Sequence, residues 1–330
     1  MPIFRVAVFS AKTYDKQSFD QQVPANVRYE YLEPRLSIET VKLADGFDAI
    51  CAFVNDDLNA EVLSKLKEYG VKALVLRCAG FNNVDMEAAQ RLGLRVARVP
   101  AYSPEAVAEH TLALILTLNR KLHKAYNRTK EDNFSLQGLL GFNLNGKTVG
   151  LIGTGKIGLA TARIFNGFGV TLLASDPFES DNAIKLGLKY VSFETLIKQA
   201  DIISLHCPLN EETQHIIDCN ALNKMKAGVM IVNTGRGALI DSQCLIENLK
   251  SGKIGYLALD VYEQESELFF EDRSDSIIHD DVFQRLLTFP NVLITGHQGF
   301  FTKEALSQIA NTTHYNLQCF ATNKPCDNEL

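Results

Sequence analysis

Three apolar runs in the C-terminal half of the chain each stop at residues suited to proton or anion chemistry. "IVNTGRGALID" carries Arg236 just past such a run, flanked by Gly235 and Gly237. "LALDVYEQESE" ends a run on Asp260 and continues with Glu263, Glu265 and Glu267. "TGHQGF" places His297 at the end of a third, between Gly296 and Gly299. A guanidinium is a planar fork that donates two parallel hydrogen bonds to a carboxylate. An imidazole exchanges a proton near neutrality, and a carboxylate beside it favours the charged ring and orients it. Together these groups could hold a 2-keto acid by its carboxylate and deliver a proton to its carbonyl oxygen. Positioned acid–base catalysis of this kind contributes roughly 10²–10⁴ in rate. Residue chemistry alone leaves open which of the glutamates would partner the imidazole.

That reaction also needs a hydride donor, and "TVGLIGTGKIG" points to one. Gly153, Gly155 and Gly158 form G-x-G-x-x-G after an apolar run and at the start of a helical pattern. In that setting the glycines permit a tight turn and close approach of the backbone to a pyrophosphate, which the helix N-terminus favours electrostatically. Asp176 ends the next run, "TLLASD", about 20 residues further on, where an acidic residue binds a ribose 2′-hydroxyl. No Arg follows it closely, so a 2′-phosphate would be repelled and NAD is expected rather than NADP.

The elements that must position these groups are legible as a repeated alternation. "FRVAVFS", "DAICAFV", "KALVLRC" and "LRVARV" read as strands in the first hundred residues, with helical patterns such as "NAEVLSKLKEYG" between them. The pattern restarts with "KTVGLIG", "TLLASD", "DIISLHC", "VMIVNTG", "YLALDV" and "NVLITG". Near-continuous apolar strands separated by helices imply parallel sheets covered on both faces. The expected fold class is α/β, with two doubly wound parallel-sheet domains. A Rossmann NAD-binding domain over 103–299 is inserted in a discontinuous flavodoxin-like substrate domain over 1–102 and 300–330. Between the two sets, "SPEAVAEHTLALILTLNRKLHKAYNRTK" reads as a helix with Ser103 as N-cap and Pro104 at its first position. Its apolar middle predicts burial in a domain or subunit interface. The stretch "TKEALSQIANTTHYNLQCFA" predicts one last helix, packed on the first domain.

With 330 residues, 46% hydrophobic and 22% charged, the chain has the composition of an ordinary globular protein. A formal charge of -6 argues against broad contact with nucleic acid or an anionic membrane. No apolar run approaches the roughly 18 residues of a membrane span, and "MPIFRVAVFS" reads as a first strand rather than a signal peptide. Cysteines at 51, 78, 207, 219, 244, 319 and 326 show no CxxC pair and no metal-ligand spacing. They predict reduced thiols in a cytoplasmic protein that binds no metal.

The set "IGTGKIG", "HCP", "NTGRGALID", "LDVYEQE" and "GHQGF" resembles the D-2-hydroxyacid dehydrogenase family. "FVNDD", "LRCAGFNNVD", "VPAYSPEAVAEH" and "RTKEDNFSL" extend the likeness through the first domain. The resemblance implies NAD-dependent, reversible conversion of pyruvate to D-lactate in a homodimer or homotetramer. It implies that Arg236 binds substrate, that His297 is the proton donor, and that Glu265, selected over Glu263 by the family pattern D-V-Y-E-x-E, supports it. It further implies that backbone around Cys78, Ala79 and Gly80 meets the substrate carboxylate and that Tyr102 and Phe300 line the pocket. Lys156, Ile157, Cys207, Pro208, Thr213, Thr234, Gly235, Arg236 and Asp260 are implied around the cofactor, with His206 beside them. Gly299 stands where close relatives are expected to carry Ala, which would loosen the loop after His297. His110, His123 and His314 fall on helical patterns and read as structural, and His215 and His279 as exposed. Two alternatives remain: an enzyme for a larger 2-keto acid, and a dinucleotide-sensing interaction protein on the same scaffold.

Overall fold

A computed structural model describes residues 3–265 and 268–330, so Glu267 lies outside the described residues. The chain opens with β1 (Phe4–Val8), α1 (Thr13–Phe19), β2 (Val27–Tyr31), β3 (Ala49–Ala52), α2 (Ala60–Glu68), β4 (Ala73–Leu76), α3 (Met86–Leu92) and β5 (Arg95–Arg98). It continues with α4 (Pro104–Arg120), α5 (Leu122–Lys130), β6 (Thr148–Ile152), α6 (Lys156–Asn166), β7 (Thr171–Ser175), α7 (Asp181–Lys185), β8 (Lys189–Tyr190), α8 (Phe193–Gln199) and β9 (Ile202–Leu205). The remainder is α9 (Cys219–Lys224), β10 (Val229–Asn233), α10 (Gln243–Lys250), β11 (Ile254–Leu259), α11 (Asp281–Leu287), β12 (Val292–Ile294) and α12 (Lys303–Ala321). These elements group into two compact units, Met1–Ser103 with Phe300–Leu330, and Pro104–Gly299.

Unit 1 is a five-stranded sheet in the order β2-β1-β3-β4-β5, every pair parallel. This is the flavodoxin-like order. Strands β3 and β4 are buried at every position, which is why they read as continuous apolar runs. Strand β2 escaped the sequence reading for the opposite reason. "VRYEY" lies at the sheet edge, and only its first residue is fully buried. Helix α12 is capped by Thr302, whose hydroxyl accepts the Ala305 amide at 3.2 Å, and it packs on α1, β4 and β5.

Unit 2 is a seven-stranded parallel sheet in the order β12-β11-β10-β9-β6-β7-β8. Six of its strands coincide with apolar runs in the sequence. The seventh, β8, has two residues at the edge and no periodicity to detect. Alternate residues of one strand serve two cores. Ile203, Ile231 and Leu257 pack in one cluster, while Ile202, Met230, Val232 and Ala258 pack in another. Both faces of the sheet are therefore covered, with α4, α6 and α7 on one side and α8 to α11 on the other. The long helix predicted from Ser103 is in fact two. Lys121 adopts a left-handed conformation (φ 53°) and separates α4 from α5. The apolar middle of α4 is buried within unit 2, against α6 and strands β10 to β12.

The cysteines also depart from expectation. Cys219 and Cys244 form a disulfide with a Cα–Cα distance of 5.2 Å, while the other five are free thiols. Spacing in sequence hid the pair. Ile217 and Ile240 form a parallel bridge that draws the starts of α9 and α10 together.

Candidate active site

The apolar periodicity that makes β10, β11 and β12 neighbours also aligns the residues just beyond them. Pairing continues past the strands, since Asp260 N donates to Asn233 O at 2.9 Å and His297 N to Asp260 O at 2.7 Å. The residues after three adjacent strands thus share one edge of unit 2, at the carboxyl ends where open α/β sheets hold ligands.

At that edge His297 Nδ1 lies 2.8 Å from Glu265 Oε1, with the two side chains 14% and 17% exposed. Glu265 Oε2 accepts the Tyr262 amide at 2.9 Å, which fixes the carboxylate. The Phe270 ring packs 5.6 Å from the imidazole. His297 sits at φ 53°, a left-handed conformation uncommon for a side-chain-bearing residue and held here by the Asp260 carbonyl. Glu263 is engaged elsewhere. Its carboxylate bonds His215 at 2.5 Å and the Ser242 amide at 3.2 Å, so His215 is half-buried rather than exposed. Structure separates two glutamates that residue chemistry alone could not.

Asp260 is the anchor of the His297 loop. Its carboxylate, 1% exposed, accepts Gln298 N at 2.9 Å, Gly299 N at 2.7 Å, the Thr295 hydroxyl at 2.5 Å and His110 Nε2 at 3.1 Å. Burial alone would raise its pKa, but the His110 and Thr295 hydrogen bonds prevail and hold it below the usual carboxylate range. Gly299 does not loosen this loop. A methyl group there would stand 3.0 Å from Asp260 Oδ2 and 3.4 Å from the His110 ring, so glycine lets the carboxylate close on the backbone.

Arg236 follows β10 and is half-buried. One terminal NH donates to Gly235 O at 2.8 Å, and its carbonyl accepts from Asn233 Nδ2 at 2.8 Å. Gly237 is required sterically, because a Cβ would meet Tyr262 C at 2.0 Å and Glu263 N at 2.3 Å. The arginine loop and the glutamate loop are therefore in direct backbone contact. Thr234 Oγ1 lies 2.9 Å from Thr111 Oγ1 on α4.

The glycine loop lies where strand order reverses, between β6 and β9. Gly153 has φ 95°, and a Cβ would strike His206 and Cys207 backbone at 2.5 Å; at Gly158 it would strike Gly153 O at 2.3 Å. Nothing lies within 4 Å of a Cβ at Gly155, the N-cap of α6. The first and third glycines thus close the turn, and the second leaves a cradle at a helix N-terminus, which fits a dinucleotide pyrophosphate. Lys156 and Ile157 begin α6. Asp176 follows β7 half-buried, its carboxylate fixed by Thr154 N at 2.7 Å and Phe178 N at 2.9 Å. Beyond β9, burial pushes His206 down to about 4, so its ring is neutral and cannot act as an acid near pH 7. Burial, reinforced by Asp176, pushes the Cys207 thiol up to about 11. Thr213 closes the next turn by donating to Pro208 O at 2.7 Å.

Among the described residues, a metal-compatible cluster does occur at Cys219, Asp241 and Cys244, but its two sulfurs are bonded to each other. No described helix is long and apolar enough to cross a membrane.

The family sequence model described as "D-isomer specific 2-hydroxyacid dehydrogenase, NAD binding domain" matches residues 112–299. The chain belongs to the D-isomer specific 2-hydroxyacid dehydrogenases. It is 55% identical to a D-lactate dehydrogenase of Escherichia coli over 99% of both chains. The solved apo-structure of D-lactate dehydrogenase from Escherichia coli superimposes with a TM-score of 0.89 over 99% of both chains, at 52% identity. The pyruvate reductase of Chlamydomonas reinhardtii does so at 0.92, covering 99% of this chain and 98% of that one at 42% identity. The glycine loop, Asp176 and the strand-end residues described above all lie inside the segment matched as the family's NAD-binding domain.

In unit 1 of this 2-hydroxyacid dehydrogenase, Cys78, Ala79 and Gly80 form the turn after β4. Arg98 donates to Ala79 O at 2.8 Å, and Cys78 Sγ to Gly80 O at 3.3 Å. The Phe300 ring lies 6.2 Å from both Tyr102 and Phe53. Sequence reading missed the support beneath this turn. Arg77, 2% exposed, donates to Ser10 O at 2.9 Å, approaches Asp15 at 3.3 Å and stacks 4.7 Å over Phe53. An arginine inside an apolar run was the available signal, since Arg is almost never fully buried unless paired.

Proposed function

We propose that this chain is an NAD-dependent D-lactate dehydrogenase that interconverts pyruvate and D-lactate. The observation that carries this reading is the Glu265–His297 contact on the strand edge that also bears Arg236. It is supported by relatives named for D-lactate and for pyruvate reduction.

In this reading Arg236 grips the substrate carboxylate with its fork. His297, as imidazolium, gives a proton from Nε2 to the carbonyl oxygen during reduction and takes it back during oxidation. Glu265 holds Nδ1 and so orients the ring. NAD, when bound, supplies or accepts the hydride. Lys156, Ile157 and the glycine loop receive its pyrophosphate, and Asp176 its ribose hydroxyls, which favours NAD over NADP. His206, Cys207, Pro208, Thr213, Thr234, Gly235 and Asp260 border it, Asp260 also positioning the His297 loop. Within unit 1, the turn of Cys78, Ala79 and Gly80 offers backbone amide donors, and Tyr102 and Phe300 offer an apolar surface. The chain works as a homodimer or homotetramer, a reading supported by the exposed Tyr126, Phe134, Leu136 and Leu140 of α5 and the segment after it.

The test is NADH oxidation with a panel of 2-keto acids and chiral analysis of the product. Pyruvate should be the best substrate and D-lactate the product. Faster turnover of phenylpyruvate would reassign the substrate to a larger 2-keto acid, and NADH binding without turnover would make the protein a sensor.

A further inference from the structure

The Cys219–Cys244 disulfide is held together by more than its own bond. Ile217 pairs with Ile240, Ile217 N donates to Leu239 O at 3.1 Å, and Asp241 N donates to Ile217 O at 3.0 Å. The segments leading into both cysteines are thus already zipped, so the sulfurs would stay neighbours as thiols. They differ in access: Cys219 is exposed at the start of α9, whereas Cys244 in α10 is 7% exposed. Asp241 Oδ2 lies 3.2 Å from Cys244 Sγ. The same zipper continues toward the arginine loop, since His215 N donates to Ala238 O at 2.8 Å and Leu239 N to Arg236 O at 3.2 Å.

We propose that Cys219 and Cys244 form a reversible thiol–disulfide exchange site for low-molecular-weight disulfides such as glutathione disulfide, and that its state tunes the loop carrying Arg236. The second half rests on the substrate role assigned to Arg236 above. In the oxidising direction the exposed Cys219 thiolate attacks one sulfur of the small disulfide. A Cys219–S bond forms, the S–S bond of the reagent breaks, and the first small thiolate leaves and takes up a proton. The Cys244 thiol then gives its proton to Asp241, and its sulfur attacks Cys219 Sγ. The internal disulfide forms as the second small thiolate leaves, protonated in turn. Two protein thiols are oxidised to one disulfide and one small disulfide is reduced to two thiols; excess small thiol reverses each step.

The experiment equilibrates the full-length protein at graded ratios of reduced to oxidised glutathione, quenches with acid, alkylates free thiols and maps them by mass spectrometry. Cys219 and Cys244 should pass together and reversibly from alkylated to cross-linked, with Cys207 and the buried cysteines unchanged. Cys244→Ser should stop at a glutathione adduct on Cys219, and Asp241→Asn should slow closure of the ring. Two thiols that remain alkylatable at every ratio, or a bond that excess reductant opens only on unfolding, would overturn the exchange site. Kinetics on the two trapped forms address the loop. KM for pyruvate should differ by about fivefold or more, the low end of ordinary coupling between sites, while KM for NADH holds. Equal KM values would overturn the coupling. Absence of turnover in both forms would strike the assigned function, while the alkylation map would still decide the exchange site.

Discussion

Glu265 bonds the Nδ1 face of His297 with one oxygen and the Tyr262 amide with the other, so both carboxylate oxygens are engaged and the ring has a fixed partner. If His297 is the proton donor and Glu265 fixes its ring, Glu265→Gln keeps an acceptor for Nδ1 but loses the charge-assisted contact. Its kcat/KM for pyruvate should fall about tenfold while NADH binding, followed by fluorescence titration, holds. Unchanged kcat/KM would dissociate the contact from catalysis.

Arg236→Lys keeps the charge and loses the fork, so it is not a conservative change. A lost charge-assisted hydrogen bond costs on the order of 1.5–3 kcal/mol, which is at least tenfold in kcat/KM for pyruvate. NADH binding, followed by fluorescence titration, should survive. Unchanged kcat/KM would remove Arg236 from the substrate.

Asp176 is held by amides on both oxygens, which aims it before any nucleotide binds. Asp176→Ala should weaken NADH binding and narrow the preference over NADPH. The comparison is the ratio of kcat/KM for the two dinucleotides. A parent enzyme that already used both equally would refute the assignment.

Gly299→Ala sets two effects against each other. A less flexible unfolded chain stabilises by about 0.4–1 kcal/mol, while crowding in a packed site costs about 1–3 kcal/mol. Because Asp260 is pinned from four sides, it cannot withdraw from a methyl group at 3.0 Å, and crowding should win. The variant should lose about 1 kcal/mol in denaturant unfolding and lose turnover as well. A rise in stability would show that the carboxylate yields.

His206 makes unit 2 acid-sensitive. The unfolded chain takes up a proton near pH 6.5, and the folded site not until about 4. Its contribution is therefore complete above pH 6.5 and is lost as pH falls through that window, on the order of 3 kcal/mol in all. Denaturant unfolding of the parent should weaken more between pH 7.5 and 5 than that of His206→Gln. Equal losses would mean that His206 titrates normally.

Sequence alone determined the two sheets, the glycine loop and the strand-end placement of Arg236 and His297. Buried parallel strands are apolar on both faces, so β3, β4, β9 and β10 announce themselves, and a residue following such a run must lie at the carboxyl edge. Edge strands carry no such mark, which is why β2 and β8 were silent. The remaining decisions depend on which strand ends are neighbours and how loops fold back on them, and local pattern does not encode either. Tertiary structure chose Glu265 over Glu263 by sending the latter to His215, and it made His110 of α4 a partner of Asp260. It placed Arg77 beneath the loop after β4 and joined Cys219 to Cys244 across 25 residues. Each is a contact between residues distant in sequence, and it exists because the strand order brings the two positions together.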